Sequence, residues 1–139
     1  MLDDMPQPDL ALRILPAFGG RTSVTGGLND GVPELVIEVC RSSRAYDLGP
    51  KLKLYERAGV DEYLAFIIDK KRVEWRVLEA GRYRRLEPDQ GIFRSLVFPG
   101  LWLDEAAFWQ YDLKRLYAVL DEGLKSDEHA AFLKERMRK

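Results

Sequence analysis

The feature that most constrains this chain is an apolar strand followed by a short polar loop and a helix, within Gly31–Tyr63. The strand is predicted at Leu35–Cys40, and the helix from near Lys51 to a glycine cap at Gly59. The nearly continuous apolar character of the strand predicts that both of its faces are covered, as in an α/β sheet. Glu38 lies inside this strand, and an ionisable residue there is costly unless it is paired, hydrogen-bonded or metal-bound. Glu38 is therefore the first candidate for a functional residue.

The rest of the chain predicts a mixed set of strands followed by helices. Asp9–Leu15 has the alternation of a short strand, with Asp9 and Ala11 on one face. Further strands are predicted at residues 63–68, 73–78, 83–86 and 95–98, and helices from residue 104 onward. Ser126 is expected to cap the last helix. Gly19–Gly31 is glycine-rich and predicted to be a linker, because no GK[ST] follows it as a phosphate-binding loop requires.

Size and composition favour one domain of ordinary globular character. The chain has 139 residues, with 46% hydrophobic and 32% charged side chains. We expect a core over about residues 9–103 and a helical extension over about residues 104–139. The formal net charge of −1 indicates no global basic field. The single cysteine, Cys40, forms no internal disulfide, which favours a reducing, cytoplasmic setting. No apolar run approaches the roughly 18 residues needed to span a bilayer.

The residue inventory narrows the possible chemistry to carboxylates and a lysine. His129 is the only histidine, so a histidine-based triad or zinc site is not expected. Mg²⁺ often takes only one or two protein carboxylates, with water and substrate phosphate completing its shell. Asp9, Glu38 and Lys51 supply such a set if their elements meet at one edge. Glu34 shares a face with Glu38 but lies roughly 13 Å away along the strand, so we prefer Asp9 as the second carboxylate.

A structural explanation of Glu38 stands beside the functional one. Its carboxylate can form an ion pair with Lys51, Arg44 or Arg41 without any role in chemistry. Five basic residues near the candidate site can contact phosphates or form an ordinary solvated surface: Arg41, Arg44, Lys51, Lys53 and Arg57.

Several segments resemble the Uma family of restriction-endonuclease-like proteins, within the PD-(D/E)xK nuclease superfamily. They are Pro8-Asp9-Leu10, PELVIEV at residues 33–39, SRAYDLGPKLKLYERAGVDEY at residues 43–63, and Phe98-Pro99-Gly100-Leu101. The resemblance covers about residues 9–103. It implies an α/β fold, a restriction-endonuclease-like mixed β-sheet flanked by helices. In this chain the fold would be N-terminally reduced, because members normally carry a further N-terminal region.

The resemblance also implies an activity. It implies a Mg²⁺- or Mn²⁺-dependent endonuclease that hydrolyses DNA phosphodiester bonds. On that pattern Asp9 and Glu38 are the metal ligands, and all three of Asp9, Glu38 and Lys51 are catalytic. Cys40 stands at the lysine position of the ExK motif, and Lys51 on the following helix takes its place. The alternative is a non-catalytic, truncated binding or interaction module. We also expect a possible homodimer through an exposed sheet edge, and no membrane association.

Overall fold

The computed structural model describes residues 7–21, 23–25, 28–47 and 49–138. The chain divides into two compact units, Met1–Arg85 and Leu86–Lys139. The expectation of one domain over residues 1–139, with a boundary near residue 103, stays a prediction.

Within its described residues, the first unit contains a five-stranded sheet, a two-stranded ribbon and two α-helices. In chain order the elements are β1 (Leu10–Leu12), β2 (Ser23–Thr25), β3 (Leu28–Asp30), β4 (Leu35–Cys40), α1 (Ser43–Asp47), α2 (Pro50–Ala58), β5 (Glu62–Ile67), β6 (Arg72–Glu79) and β7 (Arg82–Arg85). A short 3-10 helix lies at Pro16–Phe18.

The five-stranded sheet has the order β1-β4-β5-β6-β7. β4 and β5 are parallel, and α1 and α2 form the connection that two parallel strands require. The other three pairings are antiparallel. The sheet is therefore mixed, and the predicted α/β, restriction-endonuclease-like fold is confirmed.

Helix α2 has the bounds that its terminal residues predict. Pro50 lies in its first turn, where the missing N–H removes no hydrogen bond. Gly59 adopts φ 88° and donates its N–H to the carbonyls of Tyr55 and Glu56. This left-handed conformation favours glycine, so Gly59 ends the helix as predicted. Leu52 and Tyr55 face the core. Helical spacing also predicts Leu48 on the same apolar stripe as Leu52 and Tyr55, but Leu48 lies outside the described residues.

One face of the sheet forms a buried apolar cluster with the helices. Its buried members from β4 and β5 are Val36, Tyr63, Ala65 and Ile67, and Tyr46 and Tyr55 from the helices pack with them. The opposite face buries Leu35, Leu64, Val73, Trp75 and Val77, whereas Val39 of β4 is 51% exposed there. The expectation that β4 is covered on both faces therefore holds only at its beginning.

Three sequence-based expectations about local structure were wrong. Gly19–Gly31 is not only a linker, because β2 and β3 pair antiparallel within it. Residues 41–47 are not only a turn: they contain α1, whose first turn is capped by Ser42 Oγ accepting from Ala45 N–H at 3.1 Å. The strand expected at residues 95–98 is absent from the described structure there; strands at Ile92–Arg94 and Trp102–Asp104 flank that segment instead.

The second unit is a two-stranded ribbon followed by three helices. The elements are β8 (Ile92–Arg94), β9 (Trp102–Asp104), α3 (Glu105–Trp109), α4 (Leu113–Leu124) and α5 (Asp127–Arg136). Asp104, Asp112 and Ser126 cap the three helices through their side chains. The predicted Ser126 cap is confirmed, since its Oγ accepts from His129 N–H at 3.2 Å.

Helix α4 does not bury the apolar stripe that helical spacing predicts at Leu113, Leu116, Tyr117, Leu120 and Leu124. Leu113 and Tyr117 are 57% and 61% exposed, whereas Val119 and Gly123 are buried. A Cβ at Gly123 would lie 2.2 Å from the Gly100 carbonyl oxygen. The buried face of α4 is therefore the one that carries Gly123, because the absence of a side chain there allows the Gly100 backbone to come close. Within the described residues, no helix has the length and apolarity to cross a membrane.

Candidate metal and phosphate site

The three predicted site residues come from three different elements of the first unit. Asp9 directly precedes β1, Glu38 lies in β4, and Lys51 lies in the first turn of α2. Leu10 pairs with Ile37 in the antiparallel register, so the preceding residue, Asp9, lies beside Glu38. Residues that face each other in this way have side chains on the same face of a sheet.

The Asp9 carboxylate is tied to the backbone of the neighbouring strand. Val39 N–H donates to Asp9 Oδ2 at 2.7 Å. This bond joins Asp9 to the residue that follows Glu38 in β4. It therefore holds the Asp9 side chain at the end of the β1–β4 pair, where Glu38 also lies.

Glu38 is buried, with 4% of its surface exposed, and both of its carboxylate oxygens have a neighbour. Tyr55 donates its hydroxyl hydrogen to Oε2 at 2.8 Å. The Lys51 ammonium lies 3.6 Å from Oε1. Among the residues that the structure describes, Lys51 is the cation that pairs with Glu38, while Arg41 and Arg44 are exposed.

The electrostatics of Glu38 are set by opposing effects. Burial raises the pKa of this carboxyl above its ordinary value. The hydrogen bond from Tyr55 and the charge of Lys51 oppose that increase, and the negative charge of Asp9 adds to it. The three side chains around Glu38 therefore form one coupled group rather than three separate contacts.

Tyr55 is the member of this group that the sequence pattern did not identify. It appeared there only as part of the apolar stripe of α2. Its spacing of four residues from Lys51 was the available indication, because residues i and i+4 lie on the same side of a helix. Once Lys51 is directed at Glu38, Tyr55 is directed at it too.

Glu34 lies at the opposite end of β4 from Glu38 and has different partners. Its Oε1 accepts from Ile14 N–H at 2.9 Å, and its Oε2 lies 3.8 Å from Arg21 Nε. These contacts hold the segment after β1 against the start of β4. Glu34 is thus engaged as a strand-entry residue.

Cys40 and His129 lie in different units and have different surroundings. Cys40 is half-buried beside the core, and burial and the charge of Glu38 raise the pKa of its thiol. A raised pKa keeps the thiol protonated, which disfavours nucleophilic chemistry. His129 Nδ1 lies 2.9 Å from the Pro99 carbonyl oxygen, within the second unit.

The donor set suits a hard divalent cation. Within the described ranges, no group of three or more His, Cys, Asp or Glu side chains is placed to hold a metal. Asp9 and Glu38 nevertheless form a carboxylate pair, and each carboxylate has acceptor capacity beyond its hydrogen bond to Val39 or Tyr55. Mg²⁺ and Mn²⁺ favour oxygen ligands, and Mg²⁺ usually keeps several waters. The residues present therefore fit one such ion.

The fold and these neighbouring side chains define the class of protein. A mixed sheet flanked by helices is an α/β fold of the restriction-endonuclease-like kind. The model of the Uma2 family, described as "Putative restriction endonuclease", matches residues 2–106, and the chain belongs to this family. The resemblance found in the sequence is thereby confirmed. No curated protein matches the sequence.

Proposed function

We propose that this protein is a metal-dependent nuclease that hydrolyses DNA phosphodiester bonds. The observation that carries the proposal is the meeting of Asp9, Glu38 and Lys51 from three separate elements. A buried carboxylate beside a second carboxylate and a lysine is costly to build. Such clusters are typical of functional sites. Membership of the family supports a nuclease.

Asp9 and Glu38 would hold the ion, which we propose to be Mg²⁺, with Mn²⁺ as a substitute. When bound, the ion supplies charge neutralisation and activation of water. The chain's own contribution is to fix the two carboxylates. Val39 N–H holds Asp9, and Tyr55 holds Glu38. Fixed ligands lose little conformational freedom on binding the ion.

Lys51 would act on the phosphate or on the attacking water. Its side chain is half exposed while its ammonium stays 3.6 Å from Glu38 Oε1, so it faces both the carboxylate and solvent. In the reaction a bond forms between the water oxygen and phosphorus. The attacking water gives up one proton to solvent, the ester P–O bond opposite breaks, and the leaving oxygen takes a proton from solvent. A lysine at this place stabilises the negative charge that develops on the phosphate oxygens.

DNA would approach over the helices that follow β4. Arg41, Arg44, Lys51, Lys53 and Arg57 all have exposed side chains. Exposed cations near a hydrolytic site neutralise phosphates and give binding that weakens as salt rises. We therefore propose that DNA binding by this protein falls steeply with ionic strength.

The second candidate function is a non-catalytic binding or interaction module. One observation favours it: Lys51 already pairs with Glu38, so the buried carboxylate has a cationic partner in the chain itself. Cys40, which stands at the lysine position of the ExK motif, also favours the non-catalytic module. In this case Asp9, Glu38 and Lys51 stabilise the fold and the protein cuts no DNA.

A cleavage assay separates the two functions. The purified full chain is incubated with single- and double-stranded DNA and Mg²⁺ or Mn²⁺, beside Glu38→Ala and an EDTA control. We expect metal-dependent cutting that disappears in the variant and in EDTA. A well-folded wild-type chain that cuts neither substrate would reject the nuclease and favour the binding module. Cutting that persists in Glu38→Ala would place the site elsewhere.

We further propose a homodimer in a cytoplasmic setting. β1 is an edge strand of the sheet, and Leu10 and Leu12 on it are 62% and 40% exposed. An exposed apolar edge favours pairing with another chain. Light scattering after size-exclusion chromatography should give twice the chain mass. It should fall to the monomer mass in Leu10→Lys, whereas a wild-type monomer would contradict the dimer.

A further inference from the structure

The two oxygens of the Glu38 carboxylate have different partners, and both partners come from α2. Tyr55 hydroxyl donates to Oε2 at 2.8 Å, and Lys51 Nζ lies 3.6 Å from Oε1. Tyr55 has no exposed surface, whereas the Lys51 side chain is 51% exposed. Oε2 is thus held from the protein interior, and Oε1 is the oxygen beside a solvent-accessible group.

The Tyr55 ring is itself fixed by packing. Its centroid lies 5.7 Å from that of Tyr63, at an interplanar angle of 39°. Tyr63 is buried and packs in turn against Tyr46, with centroids 6.3 Å apart. Stacked and tilted aromatic pairs at these separations are mutually attractive. Because the ring cannot turn without disturbing this core, the hydroxyl is a fixed donor rather than an adaptable one.

We propose that Tyr55 is a positioning residue for the metal site. By holding Oε2, its hydroxyl turns Oε1 of Glu38 toward the end of the β1–β4 pair, where Asp9 lies. This inference rests on the proposed function, because it concerns the same ion. It adds a residue that touches neither the ion nor the DNA and acts only through Glu38. Groups that hold a metal ligand in place typically contribute 10–100-fold to metal affinity or activity.

The chain offers a matched pair of variants. Tyr55→Phe removes one hydroxyl and keeps the packed ring. Tyr83→Phe removes a hydroxyl that donates to the Val60 carbonyl at 2.8 Å, away from Glu38. Both changes remove one oxygen from a partly or fully buried tyrosine. A difference between them therefore reports on the bond to Glu38 and not on the general loss of a hydroxyl.

Calorimetric titration of the metal-free full chain with Mn²⁺, without DNA, measures the effect directly. We expect Tyr55→Phe to bind Mn²⁺ about tenfold or more weakly. Tyr83→Phe should bind as the wild type does, and thermal unfolding of both variants should be compared. Equal affinity in Tyr55→Phe and the wild type would overturn the inference. A wild-type chain that binds no Mn²⁺ would overturn it together with the proposed function. Binding without DNA cutting would overturn the proposed function alone.

A measurement on the wild type covers the case in which Tyr55→Phe does not fold. Tyrosine labelled with ¹³C at Cζ gives one resonance per phenol. We expect Mg²⁺ to shift the Tyr55 resonance, because ion binding withdraws charge from the carboxylate that accepts its hydrogen bond. The Tyr83 resonance should stay in place. A Tyr55 resonance unmoved at saturating Mg²⁺ would also overturn the inference.

Discussion

The ammonium group of Lys51 lies 3.6 Å from Oε1 of Glu38, and it is the half-exposed member of an otherwise buried contact. Lys51→Met keeps the length of the side chain and removes its charge. We expect DNA cleavage to fall by roughly 10²-fold, the usual cost of losing one group that stabilises transition-state charge. Folding should persist, because Tyr55 still binds Glu38. Rates with saturating Mg²⁺ measure the effect.

Lys53→Met is the matched control for that variant. Lys53 is also an exposed lysine in the first half of α2, and among the described contacts it has no ion pair with Glu38. Its loss should weaken DNA binding slightly and leave the rate at saturating DNA unchanged. Equal loss of rate in the two variants would show that Lys51 contributes only general positive charge.

Asp9 accepts a hydrogen bond from Val39 N–H and is proposed to bind the metal ion, and one isosteric substitution separates these two roles. Asp9→Asn keeps a side-chain oxygen that can accept from Val39 N–H but removes the negative charge. We expect the affinity for Mn²⁺ to fall about tenfold or more, since carboxylate charge tunes the affinity of such sites. The free energy of unfolding should change by no more than about 0.5 kcal/mol. Unchanged Mn²⁺ affinity would remove Asp9 from the set of ligands.

Much of the first unit follows from local sequence patterns. The apolar run at residues 35–40 has the predicted strand bounds, and Gly59 ends α2 because its φ of 88° favours glycine. The burial of Glu38 inside an apolar strand also follows from the pattern alone. Each of these features is determined by residues that lie close together in the sequence.

The features that were missed depend on residues distant in the chain. The contact between Tyr55 and Glu38 depends on how α2 is oriented about its own axis above the sheet. The spacing of residues within the helix does not define that orientation. The burial of Gly123 in place of Leu113 requires the close approach of the Gly100 backbone. The helix at Ser43–Asp47 was obscured because a serine cap at Ser42 also suits a turn.

Arg21 connects the beginning of β4 to the end of α2. Its guanidinium donates to the carbonyls of Val32 at 2.8 Å, Pro33 at 3.1 Å and Gly59 at 3.1 Å, and it pairs with Asp61 at 3.0 Å. We expect Arg21→Ala to lower the free energy of unfolding by about 1–3 kcal/mol. Arg21→Lys should not restore it, because a point charge cannot span three carbonyls. Urea denaturation measures both variants.

Arg82→Ala is the control for the Arg21 variants. Arg82 is an exposed arginine on β7, the other edge of the sheet. Its removal should change the free energy of unfolding by no more than about 0.5 kcal/mol. A similar loss in Arg82→Ala and Arg21→Ala would indicate a general effect of charge. Full recovery in Arg21→Lys would show that the carbonyl contacts contribute little.

The stability of the chain should depend on pH through Asp61. Burial raises the pKa of this carboxyl above its ordinary value of 3.8, Arg21 lowers it, and Glu34 raises it further. The folded state therefore holds the proton more tightly than the unfolded state does. Its contribution to stability is fully present below the unfolded pKa and is lost as the pH rises through the folded pKa.

Asp61→Asn stays neutral and removes this dependence. We expect the free energy of unfolding of the variant, relative to the wild type, to increase as the pH is raised from about 3 to 7. The wild type forms the ion pair to Arg21 only when Asp61 is ionised, and the raised pKa of Asp61 already includes that attraction, so loss of the pair does not change the sign of the slope. Urea denaturation at several pH values measures the difference. A difference that falls with rising pH would mean that Arg21 outweighs burial at this carboxylate.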